Sequence, residues 1–326
     1  MAASKILSAK QLLSLLCSSI EASGWNYFIR DSQKPFEIVL ERSGRGKEDV
    51  RVFIWNCTHG GGAARAVDEY RIQFTGSVPY YRDGENTLLL GWYAPFGVFA
   101  AWDIRRHQGQ DSGSPSAQIR EEILRGAYRN GFAVGERTNG EIVAAFRPEF
   151  LAEYALNCSD IHSGTIQELN ALNDFPRLAA QADAGGMERA RITSTIVRAY
   201  READFSRRVL AAYSHRCVMC GVQLKLIEAA HIVPVAAPHS TDLTSNGVAL
   251  CALHHRAYDS NLVSIAEDYS IQVSRNRVAE LRGLNLGGGI KSFISGLNDY
   301  IILPADRRDY PSVDNISVSR KVRGWR

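Results

Sequence analysis

The sequence predicts an α+β protein with two domains, and three observations lead to this prediction. Short runs rich in β-branched and aromatic residues, separated by turn residues, fill the chain from about residue 25 to about residue 150. A basic, helix-like segment follows and leads into a window that holds three of the six cysteines and five of the eight histidines. The chain of 326 residues is long enough for two compact domains. We therefore expect a mixed α+β N-terminal domain with an antiparallel sheet, a helical linker and a metal-stapled C-terminal module.

Composition and charge exclude several other classes of protein. Charged residues make up 22% of the chain and aromatic residues 9%, which is typical of a folded soluble protein rather than a disordered or collagen-like one. The longest uncharged stretch, Thr87 to Trp102, is too short for a membrane-spanning helix and contains glycine and proline. Apolar residues near the N-terminus recur at helical spacing, so we expect an amphipathic first helix rather than a signal peptide. We expect no membrane segment and a cytoplasmic location.

The N-terminal runs predict the strands of a largely antiparallel sheet. In chain order they read FEIVLER, VRVFIWN, DEYRIQFTG, TLLLGWY, GVFAAWD and EIVAAF. Between the last two, the segment SPSAQIREEILRGAYRNG predicts a helix that Ser116 caps and that stops at Gly131. Its apolar face would contain Ile119, Ile123 and Ala127, which are spaced four residues apart.

These patterns divide the chain into four parts, namely a domain at 1–155, a linker at 156–190, a second domain at 191–275 and an extension at 276–326. The net charge of the whole chain is only +3, but the segment from Glu188 to Lys225 carries eight Lys or Arg and three Asp or Glu. A local excess of positive charge is typical of a surface that contacts nucleic acid. The last 20 residues are also basic, with six basic and two acidic side chains.

The cysteine and histidine window has the spacing of a metal site. Cys217 and Cys220 form a C-x-x-C pair, and Cys251 and His254 form a C-x-x-H pair after thirty intervening residues. Two such chelating pairs supply the four soft ligands of a closed tetrahedral zinc site. In a reducing compartment this clustering indicates metal binding rather than disulfides. We predict structural zinc here, and the alternative is a set of buried thiols without a ligand.

Polar residues that remain around these pairs carry a family resemblance. The strings AHIVP, NGVALC and HHRAYD resemble the HNH nucleases, the zinc-containing branch of the ββα-metal (His-Me finger) endonucleases, over about residues 195–268. The resemblance implies a zinc-stapled ββα-metal HNH domain that hydrolyses phosphodiester bonds in DNA. It makes His231 the general base that activates water. It makes Asn246 a residue that orients the hairpin holding His231 or touches the metal.

Helical geometry predicts a second metal site beside the zinc. If residues 252–260 form a helix, the neighbouring His254 and His255 project about 100° apart, so one faces the zinc and the other a second site. Asp259 lies four residues after His255 and therefore on the same face. We predict that His255, a catalytic residue by the resemblance, and Asp259 hold one catalytic divalent cation, Mg or Mn. The alternative for Asp259 is a helix C-terminal or turn residue.

The predicted metal shell departs from the family at one position. Many relatives place a metal ligand directly before the general base, and this chain has Ala230 there. Glu228 lies two residues upstream, on the same face of the strand as Ala230, and is the candidate substitute.

Several other side chains are candidates for contact with DNA. Guanidinium groups pair with phosphate oxygens, so arginines near the cysteine window are candidates for phosphate contacts. These candidates are Arg207, Arg208, Arg216 and Arg256. The alternative is that they lie on a solvated helix face. In the N-terminal half, Trp55 and Trp102 are candidates for stacking on a base, and Asp103 would add a polar group to a pocket for a flipped modified base. The alternative for both tryptophans is a place in the core.

The function predicted from these features is a metal-dependent endonuclease acting on double-stranded DNA. The layout resembles prokaryotic restriction endonucleases, including modification-dependent ones, with selectivity supplied by the N-terminal domain. One alternative is an HNH effector nuclease of an anti-phage system whose N-terminal half senses a signal or a partner. Another is a non-catalytic, zinc-stabilised DNA-binding protein. Cutting both strands with one site per chain requires a dimer or two successive nicks, and symmetric recognition favours a homodimer.

Overall fold

The structure, a computed structural model, describes residues 6–42, 46–59, 66–109, 115–174, 191–238 and 240–325. It divides into two compact units, Met1–Tyr200 and Arg201–Arg326. Part of the predicted linker, residues 175–190, lies outside the described residues.

The first unit combines strands with helices. Its helices are α1 (Ala9–Ala22), α2 (Glu121–Asn130), α3 (Leu151–Ser163) and α4 (Ile166–Leu169), with 3-10 turns at Ile104–Arg106, Pro148–Phe150 and Asn170–Asp174. Its strands are β1 (Asn26–Asp31), β2 (Phe36–Arg42), β3 (Gly46–Asn56), β4 (Thr58–His59), β5 (Glu69–Gln73), β6 (Asn86–Tyr93), β7 (Val98–Trp102), β8 (Ser116–Arg120), β9 (Phe132–Glu136) and β10 (Ile142–Phe146). Helix α5 covers Arg191–Ala212.

Seven of these strands form one sheet, in the order β1, β2, β3, β6, β7, β10, β9. Every neighbouring pair is antiparallel except β3 and β6, which are parallel. Each of the six runs predicted as strands forms a strand. The predicted mixed α+β domain with a largely antiparallel sheet is therefore confirmed.

The seven-stranded sheet is buried on both faces. Within β6, Leu88 and Leu90 pack into a core that includes residues of α1 and α3, whereas Leu89 packs into a second core on the opposite face. Successive side chains of a strand point to opposite faces, so a strand covered on both sides has to be apolar throughout. This explains why the sequence of β6 and β7 reads as an almost unbroken apolar run.

The prediction of a helix that begins at Ser116 is wrong for residues 116–120. Residues Ser116 to Arg120 form β8, which pairs with β5 in a second sheet of order β4, β5, β8. Ala117 and Ile119 are buried while their neighbours are more exposed, which is the period of two of a strand. The helix begins only at Glu121 and ends before Gly131, which has a positive φ of 93°. The spacing of Ile119, Ile123 and Ala127 is that of a helix, although Ile119 lies on the preceding strand. The pattern arises because Ile119 packs into the same core as the two helical residues.

The predicted amphipathic first helix is confirmed. Ser8 caps α1 and forms a capping box with Gln11. Leu12, Leu16 and Ile20 are buried against the sheet. Among the described residues, no helix is long and apolar enough to cross a membrane.

The second unit is built around a hairpin followed by a helix. The hairpin strands are β11 (Ile227–His231) and β12 (Gly247–Cys251), and α6 (Ala252–Asp259) begins directly after β12. The remaining elements are β13 (Val263–Ile265), β14 (Ile271–Val273), α7 (Arg275–Gly283), α8 (Ile290–Ser295) and α9 (Val313–Val322), with 3-10 turns at Thr244–Asn246 and Arg307–Asp309. One apolar core joins this ββα arrangement to α5 through Phe205 and Val209 and to α9 through Ile316. The predicted ββα arrangement is thus present.

Candidate functional site

The hairpin and the following helix bring the two predicted chelating pairs together. β11 and β12 are antiparallel, with His231 opposite Gly247. Cys251 is the last residue of β12 and the N-cap of α6, and His254 follows one turn into the helix. Because β12 passes directly into α6, Cys251 and His254 are held close together at the start of the helix.

A tight turn holds the C-x-x-C pair against β12. The amide of Gly221 donates to the carbonyl oxygen of Cys217 at 2.8 Å, and Gly221 has a φ of 75° that favours glycine. The amide of Val218 donates to the carbonyl oxygen of Ala249 on β12, also at 2.8 Å. The turn that carries Cys217 and Cys220 is in this way attached to the strand that carries Cys251.

Cys217, Cys220, Cys251 and His254 form one cluster whose ligand atoms all lie within 4.8 Å of one another. Nδ1 of His254 lies 3.4 Å from Sγ of Cys217 and 3.2 Å from Sγ of Cys251. Burial raises the pKa of the Cys217 and Cys251 thiols and lowers the pKa of His254. Three sulfur donors and one imidazole in a closed, buried set are compatible with zinc, whose charge would stabilise the thiolates that this environment disfavours.

A second cluster lies on the other side of the same helix. Nδ1 of His255 lies 2.6 Å from Oε2 of Glu228 on β11, and its Nε2 lies 3.5 Å from Oδ2 of Asp259. The hydrogen bond with Glu228 raises the pKa of His255. Oδ1 of Asp259 is 3.4 Å from Nη2 of Arg323. The adjacent histidines therefore separate, with His254 in the cysteine cluster and His255 among carboxylates.

His231 ends β11 and is held by two neighbours. Its Nε2 lies 3.0 Å from Oδ1 of Asp242, and its ring stacks on that of Phe205 with centroids 3.8 Å apart and planes 13° apart. The hydrogen bond from His231 lowers the pKa of Asp242, and Arg201, 2.7 Å from Oδ2 of Asp242, adds to this effect. Asp242 is therefore an ionised acceptor beside the imidazole.

Sequence reasoning missed both neighbours of His231. Asp242 follows it by eleven residues in a loop, where no fixed spacing marks a partner. Phe205 is one of several apolar positions on a long helix. The only signal for Phe205 was helical periodicity, which predicts burial but not the residue it contacts.

Asn246 is fully buried, and its amide spans the loop between β11 and β12. Its Oδ1 accepts from the Val233 amide at 2.9 Å, and its Nδ2 donates to the carbonyl oxygen of Thr241 at 2.8 Å. Its backbone carbonyl accepts from Ile232 at 2.8 Å. Of the two roles considered for Asn246, these contacts favour orientation of the hairpin over contact with a metal.

Comparison with known families identifies this arrangement. Residues 217–266 match the model of a family described as HNH endonuclease. The second unit carries an HNH endonuclease domain. The match agrees with the ββα HNH domain predicted from the sequence, which is confirmed for this part of the chain.

The other comparisons concern the rest of the chain. Residues 48–155, in the first unit, match the model of a family described as methylase-associated X1. A solved structure described as a modification dependent TagI restriction endonuclease is similar at 13% identity, covering 87% of this chain and 84% of that chain with a TM-score of 0.28. Similarity at this level indicates neither fold nor function. No curated protein matches the chain.

The four candidate arginines of the HNH region differ in their surroundings. Arg208 is engaged within the chain, since it donates to Asp204 at 2.8 Å, to Oγ1 of Thr244 at 2.8 Å and to the carbonyl oxygen of Asp242 at 2.6 Å. These bonds attach α5 to the loop that presents Asp242, which favours a structural role. The other three candidates are exposed: Arg207, which also pairs with Asp204 at 2.6 Å, Arg216 and Arg256.

The prediction that Trp55 and Trp102 stack on a base is wrong. Trp55 is 5% exposed and Trp102 is 1% exposed. Their indole N–H groups donate to the carbonyl oxygens of Thr75 and Gln118 at 3.1 and 2.8 Å. Both rings fill the core between the two sheets of the first unit, so neither offers a free face to a base.

The first unit nevertheless contains a cavity beside Trp102. It has a volume of about 290 Å³ and is lined by the start of β6, the end of β7 and helix α3. Asp103, singled out by the sequence, lines this cavity and is 8% exposed. Thr87 also lines it, is 5% exposed, and has no hydrogen-bond partner for its hydroxyl among the described residues. The cavity is at the lower end of the size range of small-ligand sites.

Proposed function

We propose that the chain is a metal-dependent DNA endonuclease in which His231 is the general base. In this proposal Glu228, His255 and Asp259 hold a catalytic divalent cation. The observation that carries it is the placement of both groups on one hairpin and helix, with His231 on β11 and the imidazole–carboxylate cluster between β11 and α6. The HNH match over the same residues supports it.

The contacts of His231 fit a base that removes a proton from water. An ionised Asp242 can only accept, so Nε2 of a neutral His231 donates to it and Nδ1 keeps the lone pair. A neutral imidazole with a free nitrogen suits general base catalysis near neutral pH. The stacked ring of Phe205 limits rotation of the imidazole and so keeps Nδ1 in one direction.

The two clusters of the HNH domain suit different cations. The Cys3His cluster would hold structural zinc, which ties the C-x-x-C turn to the hairpin and helix. The oxygens of Glu228 and Asp259 with the imidazole of His255 suit a harder cation, Mg or Mn. Such a cation supplies charge that stabilises the phosphate and the leaving 3′ oxygen.

Selectivity would come from the first unit. A ββα module contacts mainly the phosphodiester backbone, which carries no sequence information. The methylase-associated description of residues 48–155 agrees with a restriction enzyme that distinguishes modified from unmodified DNA. The cavity with Asp103 and Thr87 offers buried polar groups that could bind the edge of a flipped base.

The proposed division of labour follows the four segments defined from the sequence. Residues 1–155 would recognise DNA, 156–190 would link, 191–275 would cut, and 276–326 would extend the nuclease domain. Cleavage of both strands by one site per chain favours a homodimer on a symmetric target.

The central test is cleavage of plasmid DNA by the full chain with Mg or Mn. Wild type should nick or cut, and His231→Ala should lower the rate by a factor of about 100 or more, since a general base typically contributes that much. The zinc content of the variant should equal that of wild type, because His231 lies outside the Cys3His cluster. A His231→Ala protein as active as wild type would overturn the mechanism.

The cavity also favours a second candidate function. A polar pocket in a unit separate from the nuclease domain suits a sensor of a small signal, so that cleavage is unspecific once it is switched on. Defined fragments from plasmid without any added signal would count against this candidate. Binding of DNA without cleavage across several divalent metals would instead favour the non-catalytic alternative.

A further inference from the structure

A polar groove runs along the second unit from the proposed cation cluster. It has a volume of about 1180 Å³, and Asp259 of that cluster forms part of its wall. Residues 272–277 and 323–325, beyond the HNH match that ends at residue 266, also line it. The C-terminal part of the chain therefore adds a surface that the HNH match does not cover.

The charges in this groove favour an anionic ligand. Arg275, Arg277 and Arg323 line it against the two carboxylates of Asp259 and Glu280. Arg275 is exposed at the start of α7. Arg277 pairs with Glu280 at 2.6 Å, but both side chains are about half exposed, so this ion pair is weak and can rearrange.

Arg323 is fixed at the floor of the groove with one donor unused. Its guanidinium stacks over the ring of Tyr258, 4.5 Å from the centroid, and Nη1 donates to the Tyr258 carbonyl oxygen at 3.1 Å. Nη2 donates to Asp259 at 3.4 Å. Only 10% of the side chain is exposed, and Nε has no hydrogen-bond partner among the described residues. A buried donor left without a partner is costly, so a ligand that supplies an acceptor would be stabilised here.

Asn261 presents a second unused group on the same floor. Its Nδ2 donates to the carbonyl oxygen of Arg323 at 3.2 Å, whereas its buried Oδ1 has no partner among the described residues. Trp325, half-buried, stands at the side of the groove. A ligand matched to this site offers acceptors with negative charge, donors for Oδ1 and an apolar face. A DNA strand has all three in its phosphates, its exocyclic amines and its bases.

We propose that this groove holds the DNA strand on one side of the scissile phosphate, with Arg275 and Arg277 contacting successive phosphates. The inference rests on the proposed nuclease function, because the end of the groove at Asp259 is what places the strand beside the site of cleavage. The basic C-terminal segment then serves as part of the substrate-binding surface rather than as a loose tail.

The test measures binding of the full-length, zinc-loaded protein to a fluorescent DNA duplex, with calcium in place of the catalytic cation. Arg275→Ala combined with Arg277→Ala should weaken binding severalfold and lower the slope of log K against log salt by about 2, one for each phosphate that the variant no longer neutralises. Arg282→Ala is the matched control, since Arg282 lies on the same helix but does not line the groove. Hydroxyl-radical footprints should lose protection on one side of the cleavage position only.

Two outcomes would overturn the proposal. One is an unchanged salt slope in the double variant, and the other is an equal decrease of the slope in Arg282→Ala. The two hypotheses are kept apart because binding in calcium does not require cleavage. If the wild-type protein does not cut DNA, the proposed function is wrong. The salt dependence of DNA binding still decides whether the groove binds a strand.

Discussion

At the scale of single residues, one hydrogen bond determines which nitrogen of His231 is basic. The carboxylate of Asp242 accepts from Nε2, so the lone pair of the neutral ring lies on Nδ1. A carboxylate also stabilises the imidazolium that forms once the ring has taken a proton. In the proposed mechanism the side chain that decides the tautomer is therefore as important as His231 itself, although it lies in a loop without a recognisable motif.

We expect Asp242→Asn to lower the cleavage rate by about 10- to 100-fold while DNA binding is unchanged. The amide removes the negative charge, and if its NH₂ group faces Nε2 it stabilises the tautomer with the proton on Nδ1. Single-turnover cleavage and binding in calcium measure the two quantities separately. Asp268→Asn is the control, because Asp268 is an exposed carboxylate of the same unit that accepts from the Ser270 hydroxyl at 2.6 Å. An Asp242→Asn enzyme with wild-type rates would show that the tautomer is fixed by something else.

At the scale of elements, the position of His231 depends on how closely α5 packs on the hairpin. Gly247, opposite His231, leaves space that α5 fills. A Cβ at this position would lie 2.3 Å from Cγ2 of Val209 and 2.9 Å from Cζ of Phe205. In the local sequence NGV, Gly247 has the pattern of a turn residue before a strand. The structure shows that a side chain is excluded here by α5, which lies about forty residues earlier in the chain.

We expect Gly247→Ala to destabilise the second unit by about 1–3 kcal/mol, the usual cost of overpacking. It should also lower the cleavage rate, because the added Cβ would displace not only Val209 but also the ring of Phe205, which stacks on His231. Chemical denaturation and cleavage assays measure the two effects. Gly283→Ala on α7 is the matched control, since a Cβ there meets no atom within 4 Å. Equal stability of the two variants would contradict the tight packing described for α5.

At the scale of the whole molecule, the chain forms two units with separate apolar cores, two cores in the first unit and one in the second. The first unit buries Trp55 and Trp102 between two sheets and keeps a small polar cavity. The second unit holds the Cys3His cluster, the imidazole–carboxylate cluster and the polar groove. Discrimination between DNA substrates and hydrolysis of DNA should therefore be separable by mutation.

We expect Thr87→Val to change the ratio of cleavage rates on matched plasmids that differ only in base modification, while the metal dependence stays the same. The substitution removes a hydroxyl that has no partner among the described residues, at nearly constant volume, so the melting temperature should not fall. Ser77→Ala is the control, because its buried hydroxyl also lacks a partner in the described part of the chain but does not line the cavity. An unchanged ratio, read by sequencing of the fragment ends, would remove the cavity from the recognition of DNA.

Local sequence determined much of this protein. Five of the seven strands of the central sheet, the first helix and the spacing of the Cys3His cluster follow from patterns within short segments, because period and chelate spacing are local properties. The same holds for the separation of His254 from His255, which follows from helix geometry alone. Strands β1 and β9 were not predicted from the sequence.

Tertiary structure decided what lies next to what. It made Ser116–Arg120 a strand, because β5 offers a pairing edge that no local window contains. It buried Trp55 and Trp102, since two sheets close over them. It brought Asp242 and Phe205 to His231 and joined Arg323 to Asp259 across 64 residues of chain. Contacts of this kind depend on packing between distant segments, and a sequence pattern specifies that a residue is buried or polar without specifying its partner.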